Sequence, residues 1–166
     1  MATINSQAIS QLAQEIGQRL TRKAQFLAVA ESCTGGQICH ELTNISGSSG
    51  YFRGGVVAYA NDIKIKLLKV PAEVIERHGA VSAQCVEYMA GGVAELFECQ
   101  YGIGVSGIAG PGGGSAQKPV GTVFIAVKSP SSTKIYEHRF NGNRREIKKQ
   151  AVRSALEHLL DVLDAE

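Results

Sequence analysis

The chain has 166 residues, 44% hydrophobic and 19% charged, the balance of one compact domain with a sizeable buried core. A formal charge of +2, an aromatic share of 6% and no Trp give neither the basic stripe nor the stacking rings of a nucleic-acid partner. Nothing resembles a signal peptide and no apolar run approaches about 18 residues, so no membrane partner is expected and the chain reads as cytoplasmic.

In chain order, residues 5–23 carry Ile9, Leu12, Ile16 and Leu20 at helical spacing, which predicts a surface helix with one buried stripe. A buried strand over 26–30 follows and ends in the small-residue turn Glu31-Ser32-Cys33-Thr34-Gly35-Gly36. Gln37 to Leu42 open the next helix. After the Ser- and Gly-rich loop 44–50, residues 54–60 read as a second strand. Asn61 is expected to cap a helix that runs to about Lys69 and stops before Pro71. Residues 83–98 form a helix with Val86, Met89, Ala90, Val93, Ala94 and Phe97 inward. A third strand over 101–105 runs into a glycine loop, and strands at about 120–128 and 133–140 form an antiparallel hairpin. The last helix, about 143–164, aligns Ile147, Ala151, Ala155, Leu159 and Leu163. Helices alternating with strands early and a hairpin late predict an α/β protein, a three-layer α/β/α sandwich on a mixed, mostly parallel sheet, over residues 1–166.

Cys33, Cys39, Cys85 and Cys99 lack CxxC spacing, and three of them fall in helical segments, as reduced packing thiols do. His40, His78, His138 and His158 are scattered without zinc-site spacing, so no metal is expected.

The chemistry concentrates at the strand-to-helix turn. A helix start offers unpartnered N–H groups and the positive end of the dipole, which suits a phosphate or a developing oxyanion. Ser32 is therefore either a helix cap or a nucleophile. Cys33 beside it is either a rival nucleophile of lowered pKa or a packing thiol. A nucleophilic serine needs a base, and no histidine occupies a site-like loop; lysine is the alternative. On a helical wheel from Ile63, Leu67 and Leu68 fall near ~40° and ~140°, with Lys64 between them near ~100°. Lys64 is thus the lysine drawn coreward, or it snorkels out to solvent. To serve as a base it must titrate roughly 3 units low, worth about 4 kcal/mol, which burial can supply. Tyr59 either relays a proton between Ser32 and Lys64 or packs its ring. The loop Ser106-Gly107-Ile108-Ala109-Gly110-Pro111-Gly112 either lines a phosphate or is a plain connection, since it fits no GxGxxG or Walker pattern. Arg144 and Arg145 either clamp an anion or form an exposed helix end.

AESCTGG (30–36), YANDIK (59–64), GAVS (79–82), SGIAGPGG (106–113) and PVGTV (119–123) stand in the order typical of CinA-like C-terminal domains. The chain resembles that family over roughly residues 8–163, and the family includes stand-alone nicotinamide-nucleotide amidases. The resemblance implies hydrolysis of nicotinamide mononucleotide to nicotinic acid mononucleotide and ammonia, in pyridine nucleotide recycling. It implies Ser32 as nucleophile, activated by Tyr59 and Lys64, with no cofactor. The fold it implies is the same three-layer sandwich, assembled as a homodimer or larger homo-oligomer. On this reading the N–H groups of Cys33, Thr34, Gly35 and Gly36 hold the oxyanion. Ser106, Gly107, Ala109, Gly110 and Gly112, with Arg144 or Arg145, hold the ribose phosphate.

Two features depart from the family. The last helix often opens Gly-Asp-Arg there, and here it opens Gly142-Asn143-Arg144; Asn is expected still to cap. Larger members carry a further N-terminal domain without counterpart in this sequence, so activity is expected to reside in this domain. The competing reading is a pyridine-nucleotide-binding or regulatory module without turnover, against which stands the complete Ser32, Tyr59, Lys64 set. A DNA-associated role finds no support in a charge of +2.

Overall fold

A computed structural model describes residues 6–166, with side chains from Ala8 onward. Helix α1 (Ser6–Lys23) fits the predicted span, Asn5 lying outside the described residues. Then come β1 (Leu27–Glu31), α2 (Gln37–Thr43), a 3₁₀ turn (Ser48–Gly50) and β2 (Phe52–Val57). Helices α3 (Asn61–Leu68), α4 (Ala72–His78) and α5 (Ala83–Leu96) precede β3 (Tyr101–Gly107). Strands β4 (Thr122–Lys128) and β5 (Thr133–Arg139) lead to α6 (Arg144–Ala165).

The five strands form one sheet in the order β2-β1-β3-β4-β5. Strands β2, β1 and β3 pair in parallel, and β4 runs against both of its neighbours. Two apolar clusters sandwich this sheet. One joins α1, α2 and α6 to Leu27, Val29, Ile103 and Val105; the other joins α3 and α5 to Ala28, Ala30 and Ala126. Alternation along β1 sends successive side chains into opposite clusters, as the pleat requires. The mixed α/β/α architecture is therefore the one expected from the sequence.

Helix α5 lies directly on β3 because that strand is glycine-rich on the facing side. A Cβ on Gly102 would stand 2.1 Å from the Ala90 carbonyl oxygen, and one on Gly104 would stand 2.4 Å from that of Val86. Glycine here serves close approach of backbone to backbone.

Several sequence expectations are corrected. Asn61 is the first residue of α3, not its cap; Ala60 holds the cap position and makes no side-chain bond. Strand β2 covers Phe52–Val57, so Tyr59 lies beyond the strand, in the turn leading to α3. Helix α4 was not anticipated: it buries none of its residues fully, so it carries no apolar stripe to read. Leu67 is 45% exposed, so Lys64 turns inward with Leu68 alone. Ser106 and Gly107 belong to β3 rather than to the loop after it. Cys99 falls past the end of α5, and all four cysteines are free. Asn143 caps α6 as expected, closing a capping box with Glu146.

Candidate active site

The chain leaves β1 toward β2 on one side of the sheet, and returns from β2 to β3 on the other. The ends of β1 and β3 thus flank the point where strand order reverses, where open α/β sheets leave a crevice. Ser32 follows the last residue of β1, and its N–H donates to the Val105 carbonyl of β3 (3.0 Å).

Lys64 reaches this point from the first turn of α3. Its Nζ stands 3.1 Å from Ser32 Oγ, donates to the Ala58 carbonyl at 2.7 Å and to the Tyr59 carbonyl at 3.2 Å. Lys64 is 1% exposed and Ser32 8%, so both partners of this contact are buried. Burial lowers the Lys64 pKa below the ordinary lysine value, with Cys85 and Cys33 pulling weakly the other way. The two carbonyls occupy two tetrahedral positions of the nitrogen in either charge state. The third faces Ser32, as an N–H of the ammonium or the lone pair of the amine.

The turn after Ser32 uses its glycines for backbone shape. Gly35 and Gly36 both have positive φ, +63° and +95°, a conformation L side chains rarely adopt. What the sequence reading missed is Glu31. Its buried side chain accepts from the N–H groups of Gly36 (3.1 Å), Ile38 (3.1 Å) and Cys39 (2.9 Å). The start of α2 is thus filled by the chain's own carboxylate. The Gly35 N–H is spent on the Ser32 carbonyl (3.1 Å). Of the four expected oxyanion donors, Gly35 and Gly36 are therefore engaged, and Cys33 and Thr34 remain. A carboxylate one residue before the nucleophile, five before Gly36, was the available signal.

The same arrangement settles Cys33. Burial pushes its thiol up to about 12; its own backbone N–H opposes this, and the Glu31 charge adds to the rise. The thiol is buried, and the lowered pKa expected from a helix start does not arise.

Tyr59 does not stand between Ser32 and Lys64 by its hydroxyl. The residue is 62% exposed, and its Oη accepts from Arg144 Nη2 at 3.1 Å. Arg144 Nη1 in turn donates to the Gly110 carbonyl at 2.7 Å. Arg144 thereby joins the glycine loop to Tyr59, while the Arg145 N–H donates to the Asn143 cap (3.0 Å). Lys148 lies one turn after Arg144, near Gly35, close enough to act on the Cys33 thiol; it too was missed. Ser106 and Ala109 are buried. A Cβ on Gly107 would strike Val123 at 2.6 Å, so that position takes no side chain. Gly112 stays open: a Cβ there would meet nothing within 4 Å.

Elsewhere, His138 and His158 meet, Nε2 to Nε2 at 2.8 Å, and stack on Phe140 and Tyr136. Sequence separation hid that pairing. Among the described residues, no three His, Cys, Asp or Glu side chains are arranged to hold a metal ion. No helix among them is long and apolar enough to cross a membrane.

A three-layer α/β/α sandwich with a buried lysine on a serine at the switch point of its sheet defines the class of protein. The chain belongs to the CinA C-terminal domain family, which it matches over residues 9–163. It is 45% identical over 152 residues to a CinA-like protein of Desulfotalea psychrophila, covering 92% of this chain and 36% of that one. To a CinA-like protein of Prochlorococcus marinus (strain NATL2A) it is 51% identical over 142 residues, covering 84% and 33%. The chain thus spans about a third of the length of the curated relatives it matches. Among solved structures it superposes on the competence/damage inducible protein CihA from Agrobacterium tumefaciens with a TM-score of 0.92 and 40% identity, covering 99% of each. A CinA superfamily protein from Escherichia coli gives 0.91 and 30%, covering 98% of this chain and 94% of that one.

Proposed function

We propose that the chain is an amidase that hydrolyses the carboxamide of nicotinamide mononucleotide, releasing ammonia and nicotinic acid mononucleotide. The observation that carries this reading is the buried Lys64 Nζ, 3.1 Å from Ser32 Oγ. A lysine placed in the core beside a serine is costly to stability and useful as a base.

The neutral amine takes the Ser32 proton as Oγ attacks the carboxamide carbon. Direct transfer fits the geometry, since the Tyr59 hydroxyl is held by Arg144 and Tyr59 meets the lysine through its carbonyl. The Cys33 and Thr34 N–H groups are the donors for the tetrahedral oxyanion, each worth about 2.7–4 kcal/mol in comparable sites. Lys64 then passes its proton to the leaving nitrogen, which departs as ammonia and leaves an ester on Ser32. Water attacks that ester as Lys64 takes its proton; the bond to Ser32 Oγ then breaks and Lys64 returns the proton to that oxygen, which releases the acid and restores Ser32 and the neutral amine. Arg144 and Lys148, four residues apart on one face of α6, are the cations available to the remote phosphate. A grip there orients the amide for attack.

The test is ammonia release from nicotinamide mononucleotide by the parent and by Ser32→Ala. Turnover in the parent and loss of about 10³-fold or more in the variant is the expected result. Binding without turnover in the parent would make the chain a nucleotide-binding module instead.

A further inference from the structure

Tyr59 is exposed beside the buried Ser32–Lys64 pair, and both of its ends are tied. Its carbonyl accepts from Lys64 Nζ (3.2 Å) and its Oη from Arg144 Nη2 (3.1 Å). Arg144 is itself fixed to the Gly110 carbonyl (2.7 Å). The side chain therefore runs from the lysine end of the cleft to the arginine end. Carboxamide, ring and phosphate follow one another in that same order in the proposed substrate. At 62% exposed, Tyr59 leaves more of itself in water than any other large hydrophobic side chain described. Among the described residues no ring or cation stacks on its face. A tethered ring with a bare face is a platform without an occupant, and the negative face of a phenol favours a cation.

We infer that Tyr59 is the surface on which the positively charged pyridinium of the substrate lies, so that the site selects cationic carboxamide rings over neutral ones. This rests on the amidase reading above and adds to it a specificity-determining residue. The hydroxyl locates the ring through Arg144, and the ring supplies the preference for charge. A cation on such a face is favoured by about fivefold to tenfold over a neutral ring of the same shape.

The test compares nicotinamide mononucleotide with benzamide riboside monophosphate, which presents the same carboxamide on an uncharged ring. KM for the first and the inhibition constant of the second are measured for the parent, Tyr59→Phe and Tyr59→Leu. Tyr59→Leu is expected to raise KM for the charged nucleotide about tenfold, with a smaller fall in kcat, and to move the neutral inhibitor by less than about threefold. Tyr59→Phe, which keeps the ring, is expected to keep the parent's ratio of charged to neutral affinity. Equal weakening of both ligands in Tyr59→Leu would overturn the inference. So would a collapse of kcat in Tyr59→Phe at constant KM, which would assign the hydroxyl to proton transfer. A changed sedimentation coefficient with an unchanged ratio would overturn it too, placing the ring against a second copy of the chain. If the parent releases no ammonia the amidase reading fails, and calorimetric binding of the two nucleotides to the same three proteins still reads the charge preference.

Discussion

At the scale of single residues, Lys64 shows how a side chain that costs stability becomes useful. The residue is sealed from solvent, and burial depresses its pKa. Between that lowered value and the ordinary lysine range, the unfolded chain binds a proton that the folded chain has shed. Stability therefore rises with pH across that window, and the full cost of burying the charge is present below it. Lys64→Met removes the proton linkage and, on the proposed mechanism, the base. The variant is expected to lose at least about 100-fold in kcat/KM. The Tm difference between parent and variant should shift in the parent's favour as pH rises through the window, which thermal unfolding at several pH values would measure. The parent's kcat/KM should rise with pH through the lowered value, since only the neutral amine accepts the serine proton.

Between elements, the junction of β1 and α2 is organised by Glu31. Four N–H groups at a helix start need acceptors, and here one side chain serves three N–H groups around that start. Glu31→Gln keeps the shape but turns an amide NH₂ toward backbone donors. The loss is expected to be about 1.5–3 kcal/mol, the range for hydrogen bonds to a charged group, read as a lower urea midpoint at constant m. Turnover should fall with it, because Ser32, Cys33 and Thr34 hang from the turn that Glu31 holds. At the other end of the chain the α6 start is capped by Asn143 and Glu146, so it needs no outside anion for its own stability.

Across the whole molecule, the distance between layers is set by glycine. Strand β3 offers Gly102 and Gly104 to α5, and helix α5 offers Gly92, whose Cβ would stand 2.0 Å from the Leu68 carbonyl oxygen of α3. These approaches hold α3, and with it Lys64, close to the sheet that carries Ser32. Gly104→Ala would push α5 off β3 against rigid backbone, at a cost of about 3 kcal/mol or more, visible as a lower midpoint of chemical denaturation.

The sequence by itself determined the faces and the ends. The order of elements, the strand-to-helix turn at Ser32, the coreward side of Lys64 and the Asn143 cap all rest on neighbours three or four residues apart, where backbone geometry alone dictates who meets whom. Helix α4 escaped because a helix with no fully buried residue has no such pattern to show. Only the tertiary structure decided which groups were already engaged. Glu31 filled the helix start that an outside anion was expected to use. Arg144 rather than Arg145 met Tyr59 across 85 residues of sequence, and that contact took the tyrosine hydroxyl away from the lysine. Such pairings depend on how the sheet's crossovers bring distant strand ends and helix starts to one point. Hydrogen bonds and charges act only over a few ångströms, so a partner distant in sequence is chosen by the fold and not by the local pattern.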